Sequence, residues 1–387
     1  MGLNRTRPEN TAGPLGTARA TSRIPLARPY MTEEVKREVC RVLDSGYLTE
    51  GPVAGELETA AKDFIGCQHA IAVTSCTVGL EMALRALGIV PGDEVIVPDF
   101  TYPATADAVM LVGATAVLVD ISPETMLIDY DAAEAAVTDR TKAILPVSQF
   151  GNPLDYDQLN AIKKEHGLFV VEDAAPAFGA AYRDTQVGNL ADITAFSFHP
   201  RKILTTGEGG LVTTNNVDWA SRINSYKHFG IDASAVGSAA CFKGIGTNYK
   251  LSDILAAVGL VQMRHIEELL ERRAEFAGRY TELLSGDSRV KLPAATPEGK
   301  RVWQSFCVFV ENRDEIMRRM RAENIEVQIG TYALHRQPAF SAGERVRIAG
   351  ELAGSSYAFE HCLALPLYHE LTVEDQKTVV NMLKGYL

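Results

Sequence analysis

The stretch Phe196 to Gly210, FSFHPRKILTTGEGG, holds the chain's strongest candidate for covalent chemistry. It presents Lys202 on a loop after a short apolar strand, among Phe196, Phe198, Ile203 and Leu204, with Gly207, Gly209 and Gly210 just behind. Most loop lysines are solvated charges. A lysine desolvated by apolar neighbours has a lowered pKa, and its free amine can attack a carbonyl to form a Schiff base. The glycines allow close backbone approach to a bound group. Lys202 is therefore a candidate covalent anchor for pyridoxal phosphate (PLP), with Ser197 upstream of it placed to hold the phosphate.

A PLP lysine needs an acidic partner for the pyridinium nitrogen. The apolar run Leu168 to Val171 ends in Glu172 and Asp173, and Asp173 stands where a buried strand meets its loop. Thr74-Ser75-Cys76-Thr77 lies between a strand and a helix, where backbone amides and hydroxyls bind anions; taken alone, it reads equally as an ordinary N-cap. Tyr102, in DFTYP, follows the next strand and could stack on a flat ring or fill the core. Asp173 alone could merely close a strand. The set argues for one site: phosphate loop, aromatic, carboxylate, serine and lysine come in order, each just after a strand.

The elements that must position these groups alternate. Strands are expected at 70–73, 94–97, 115–120, 142–147 and 168–172, with helices at 77–88, 104–112, 130–137 and 154–166 between them. Such alternation implies a mostly parallel sheet covered on both faces, with ligands bound where the strands end. Two earlier helices start near Thr32 and after Pro52. Two further strands, 193–198 and 210–213, flank the lysine loop. A helix at 219–228, a Gly- and Ser-rich loop over 230–248 and one long helical stretch over 251–284 follow. The remainder reads as an α+β unit, with an alternating strand at 306–310, a helix at 314–324, a strand at 325–328 and a last helix at 373–387. The expected fold class is α/β, with a flexible tail over 1–23, a large domain over 24–255 and a smaller C-terminal domain over 256–387 reached through the long helix.

The 387 residues are 46% hydrophobic and carry a net charge of -11, from 38 basic and 49 acidic side chains. That balance argues against general nucleic-acid binding. No apolar run reaches the roughly 18 residues of a membrane span, and the first residues lack the apolar core of a secretory signal. The six cysteines are scattered, with no CxxC pair and no zinc spacing, so no metal site is expected and reduced thiols in the cytoplasm are the simplest reading.

Four motifs, TSCTVGLEMALRALGIVPGDEVIVPDFTYPATADA, VVEDAAPAFGA, FSFHPRKILTTGEGG and GTNYKLSDILAAVG, resemble the DegT/DnrJ/EryC1/StrS family of PLP-dependent sugar aminotransferases of fold type I. The resemblance runs from about Ile24 to the C-terminus. It implies that Lys202 forms the Schiff base and shuttles a proton, Asp173 pairs with the pyridine nitrogen, and Tyr102 stacks on the ring. It also implies that Cys76 through its backbone, Thr77 through its hydroxyl, and Ser197 bind the phosphate, and that Asn248 reaches the phosphate of the partner subunit in a homodimer with shared sites. The implied reaction moves an amino group from an amino acid, L-glutamate in most relatives, to a nucleotide-linked keto sugar.

Two positions depart from the family's pattern. Pro176 stands where many relatives have Gln or His, and Cys76 replaces a common Gly or Ala. Substrate contacts are expected from Lys243 and Lys250 in the 230–250 loop and from Tyr332 and His335 in GTYALHRQ, though each reads equally as a surface residue. A sugar dehydratase of the same fold carries histidine in place of the lysine, which Lys202 opposes. A cyclitol aminotransferase stays open, as does a non-catalytic PLP-binding regulator, although an intact Lys202 and Asp173 weigh against the latter. A Rossmann dehydrogenase requires GxGxxG after the first strand, where this chain has TSCTVG.

Overall fold

A computed structural model of the protein describes residues 23–231 and 241–387. The expected N-terminal tail, apart from Arg23, and the middle of the 230–248 loop lie outside the described residues. An eight-stranded sheet forms the centre, in the order His69–Val73, Gly210–Thr214, Ile193–Ser197, Phe169–Asp173, Thr141–Ile144, Glu94–Pro98, Thr115–Val119 and Val346–Ile348. The five pairings from Ile193–Ser197 through Val346–Ile348 are parallel. The two pairings that bring in Gly210–Thr214 and His69–Val73 are antiparallel. Among the neighbours, only a parallel pairing needs a crossover helix, which accounts for the alternation in sequence.

The strands are buried on both faces because the pleat sends successive side chains to opposite cores. Ile96 and Val170 join a core with Leu57, Phe196, Phe198 and Leu260. Their neighbours Val95, Val97 and Val171 join the other core, with Leu80, Met82 and Val212. Helix ends follow local chemistry: Ser75 caps Cys76–Ala86 by accepting from the Val78 amide, and the helices Pro52–Ile65 and Tyr156–His166 stop at Gly66 and Gly167, whose φ of 77° and 65° suit glycine. Asp253, in the GTNYKLSD motif, accepts the amides of Gly51, Val53 and Ala54 at 2.8, 3.2 and 3.0 Å. A carboxylate there stabilises the N-terminus of the helix Pro52–Ile65.

A third core gathers Phe276, Tyr280, Phe306, Val308, Met320, Leu363 and Leu383. It contains a three-stranded antiparallel sheet in the order Phe306–Phe309, Cys362–Leu365, Gln328–Ile329. Two segments beyond residue 330 return to the large sheet. Tyr332–Ala333 pairs antiparallel with Phe100–Thr101, and Val346–Ile348 forms the sheet's parallel edge.

Several boundaries differ from the sequence reading. The long helical stretch is two helices, Asp253–Arg264 and Ile266–Leu284, broken at His265. The first helix packs Ala256, Ala257 and Leu260 in the large core; the second begins there with Ile266 and Leu269 and only later turns Phe276, Ala277 and Tyr280 into the third. The strand expected over 142–147 runs Thr141–Ile144, since Pro146 cannot donate to a ladder. The strand expected over 325–328 pairs only at Gln328–Ile329, Ile325 instead bridging to Ile24. Among the described residues no helix is long and apolar enough to cross a membrane.

Candidate active site

The strands His69–Val73, Gly210–Thr214 and Ile193–Ser197 are in register at Val73, Gly210 and Ser197. The helix Cys76–Ala86 starts directly above that row. A helix leaves its first amides without intrahelical acceptors, and here those belong to Cys76 and Thr77. A Cβ on Gly210 would stand 2.7 Å from the Cys76 amide nitrogen and 2.7 Å from the Phe196 carbonyl oxygen. Glycine is thus what allows the strand to lie this close under the helix end. The result is a cradle of amides, with Thr77 in the helix's first turn and Ser197 on the strand row both half-buried. The Ser197 hydroxyl accepts from the His199 amide at 3.3 Å.

Asp173 ends the strand Phe169–Asp173 and is 5% exposed. Its Oδ2 accepts from the Thr105 hydroxyl at 2.8 Å and its Oδ1 from the Ala175 amide at 3.1 Å. The Cys76 thiol points at the same Oδ1 from 3.8 Å. Burial pushes the Asp173 pKa up, while these donors and the nearby Lys202 charge oppose the rise. Burial also pushes the Cys76 thiol well above its ordinary value, with the Asp173 charge adding to the effect.

Lys202 hangs from a loop whose own bonds are closed: its amide donates to His199 at 2.8 Å, and Thr206 donates to Phe198 at 3.0 Å. Phe198, Ile203 and Leu204 of the same segment are buried, and Lys202 itself is half-buried. Burial lowers the Lys202 pKa, and Asp173 works in the opposite direction. Lys202, Asp173 and Cys76, far apart in sequence, each influence the ionisation of the other two.

Tyr102 is not a core aromatic. It is 65% exposed, its ring centroid 6.3 Å from that of Tyr332 at an interplanar angle of 57°. His335 is held in place: its Nδ1 lies 2.6 Å from Asp99 Oδ2, its amide donates to Asp99 Oδ1 at 2.7 Å, and its Nε2 lies 3.3 Å from the Ser356 hydroxyl. Asn248 is exposed and accepts from Lys250 Nζ at 2.7 Å; that ammonium also sits 4.8 Å from the Phe229 ring centroid. Lys243 is exposed, and its amide donates to Gly230 at 2.9 Å.

Sequence reasoning missed Thr105 and Thr101, whose hydroxyls lie 2.8 Å apart. Their spacing of four within FTYPATADA was the available signal. It also missed Gln304, which bonds the lysine loop from a distant segment and has no local signature. Glu172 faces away from Asp173, as strand alternation requires, and accepts from Ser148 and Tyr156 at 2.5 and 2.8 Å. Burial raises its pKa to about 7.

The groups present fit PLP. An amide cradle that a Cβ would fill suits the phosphate, a buried carboxylate suits a ring cation, and a desolvated amine suits a carbonyl carbon. With the sheet topology, they define a PLP-dependent transferase of fold type I. The chain belongs to the DegT/DnrJ/EryC1/StrS aminotransferase family, whose model matches residues 29–384. It is 36% identical to the GDP-perosamine synthase of Caulobacter vibrioides over 94% of this chain and 98% of that protein. It is 34% identical to the spore coat polysaccharide biosynthesis protein SpsC of Bacillus subtilis, covering 93% and 96%. The X-ray structure of S. venezuelae DesV in complex with a ketimine intermediate superposes with a TM-score of 0.87 at 33% identity, covering 95% of this chain and 99% of that one. The protein is a PLP-dependent sugar aminotransferase.

Proposed function

We propose that this enzyme transfers an amino group from an amino acid, L-glutamate, to a nucleotide-linked keto sugar in amino-sugar biosynthesis. The observation that carries the site assignment is the buried Asp173 carboxylate at the end of its strand, held by Thr105, Ala175 and Cys76, with its charge acting on the half-buried Lys202. Bound there, PLP supplies the electron sink that makes the amino-bearing carbon acidic. Lys202 would hold the cofactor, and its free amine would carry a proton to and from the substrate carbon. Asp173 would pair with the ring nitrogen, and a cation there would offset the cost of its burial and keep it ionised. The Cys76 amide and the Thr77 and Ser197 hydroxyls would bind the phosphate, and Tyr102 would stack on the ring.

The nucleotide-linked substrate is supported by the relative named GDP-perosamine synthase, and a polysaccharide destination by the relative named SpsC. The enzyme acts as a homodimer with shared sites, in which the exposed Asn248 reaches the partner's phosphate cradle, and Lys243, Lys250, Tyr332 and His335 stand toward the sugar nucleotide. Six unpaired cysteines fit a reducing, cytoplasmic setting.

The test is an absorbance spectrum of the purified protein before and after L-glutamate, beside Lys202→Ala. A visible band that glutamate shifts to the aminated-cofactor form, and that is missing in the variant, supports the reading. A wild-type protein that binds PLP and answers no amino donor overturns it. Nucleotide keto sugars are then screened as acceptors.

A further inference from the structure

The backbone that carries Lys202 is gripped from outside its own segment. Gln304, just ahead of the strand Phe306–Phe309, is 8% exposed. Its Oε1 accepts the Ile203 amide at 3.0 Å, and its Nε2 donates to the Arg201 carbonyl at 2.5 Å. One side-chain amide therefore bonds the carbonyl just before Lys202 and the amide just after it, as a neighbouring strand would. Gln304 is itself braced, because the buried Arg273 donates through Nη1 to the carbonyls of Trp303, Gln304 and Leu367 at 3.1 to 3.2 Å. A second buried glutamine, Gln262, accepts the Thr205 amide at 2.9 Å and donates to the Tyr30 carbonyl at 3.0 Å.

We propose that Gln304 is a positioning residue for Lys202. Its side-chain amide fixes the two peptide groups flanking the lysine, and so sets the aim of the amine from a part of the chain whose strand belongs to the third core. This rests on the reading of Lys202 as the covalent anchor. Capture of the cofactor joins Lys202 Nζ, as the free amine, to the aldehyde carbon, and the aldehyde oxygen leaves as water. That step depends on the direction in which Nζ is presented, and misplacement by about 1 Å costs on the order of a hundredfold in rate. A merely structural Gln304 changes stability and leaves the lysine's chemistry alone.

The experiment compares wild type, Gln304→Met, Gln304→Glu and Gln328→Ala. Methionine keeps the volume but can neither donate nor accept usefully. Ionised glutamate keeps the acceptor for Ile203 and loses the donor for Arg201. Gln328 contacts only the Arg201 guanidinium among these groups, at 2.8 Å, and serves as the control. The readouts are the rate at which apo-protein captures PLP, the pH titration of the lysine-dependent visible band, and the single-turnover rate constant and apparent Kd for the reaction with L-glutamate. Gln304→Met is expected to slow capture by about tenfold to a hundredfold, shift the titration midpoint, and lower the single-turnover rate constant with L-glutamate more than it raises the apparent Kd. Gln304→Glu falls between, and Gln328→Ala matches wild type. Unchanged capture and midpoint in a folded Gln304→Met protein overturn the proposal; if that variant fails to fold, the same readouts on Gln304→Glu decide. A wild type whose visible band survives Lys202→Ala overturns the reading of Lys202, and the clamp with it, whereas a lysine-dependent band unaffected by Gln304 variants overturns the clamp alone.

Discussion

The Thr105 hydroxyl donates to Oδ2 of Asp173 at 2.8 Å, both groups are buried, and Thr101 lies a further 2.8 Å behind. The carboxylate is therefore oriented by the first turn of the helix Ala104–Leu111 as well as by its own strand. Removing that donor leaves a buried carboxylate oxygen short of a partner, which costs about 1–3 kcal/mol. Thr105→Val is expected to weaken PLP binding by about tenfold to a hundredfold, and Thr105→Ser to restore most of it. A PLP titration followed by absorbance checks this, and equal affinities for the three proteins would dismiss the role of Thr105.

Gly210 lies under the amide of Cys76 with no room for a methyl group. Gly210→Ala is expected to displace the helix end from the strand. It destabilises the fold by about 1–3 kcal/mol through overpacking and reduces the rise in Tm on adding PLP. A variant that keeps the full PLP-dependent rise would show that the cradle tolerates the shift.

The lowered pKa of Lys202 has a sign that can be tested in the apo-protein. Burial lowers it and the Asp173 charge partly restores it. Asp173→Asn is thus expected to lower the Lys202 pKa further. The pH dependence of Lys202 acylation, read by mass spectrometry, should move to lower pH in the variant. A move to higher pH contradicts the assigned electrostatics.

Glu172 is fully buried and titrates at about 7, above the 4.5 of a free glutamate. The folded value exceeds the unfolded one, so the folded state holds the extra proton. The stability that comes from this neutral carboxyl is complete below about pH 4.5 and is lost as pH rises through about 7, a change of about 3 kcal/mol. Glu172→Gln, which never ionises, is expected to flatten that part of the stability profile and to be more stable than wild type at pH 8. Unfolding curves between pH 5 and 8 provide the comparison; parallel profiles for the two proteins would refute it.

Cys76 is buried with its thiol held protonated by burial and by Asp173, whereas Cys40 and Cys241 are exposed. The thiolate is the reactive form. Cys40 and Cys241 are therefore expected to react with maleimide at neutral pH while Cys76 resists until the protein unfolds, which peptide mapping of the labelled protein would show. Early labelling of Cys76 would mean that its surroundings are wetter than the geometry implies.

The sequence by itself determined the sheet's character and named the candidate site residues. Alternation of buried strands with helices is a local pattern, and each candidate sits at a strand end, where chain order alone places it. It could not show that Ile266 starts a new helix, because the apolar spacing continues through His265 and residues on both sides of the break pack in the same core. Nor could it show that Val346–Ile348 closes the far edge of the first sheet, because pairing with Thr115–Val119 is a long-range contact with no local signal. The same holds at the site. Lys202 and Asp173 were legible from their own segments. Gln304 on the lysine's backbone and Cys76 against the carboxylate were decided by tertiary structure, since a side-chain amide or thiol acquires its role only from the groups that folding brings against it.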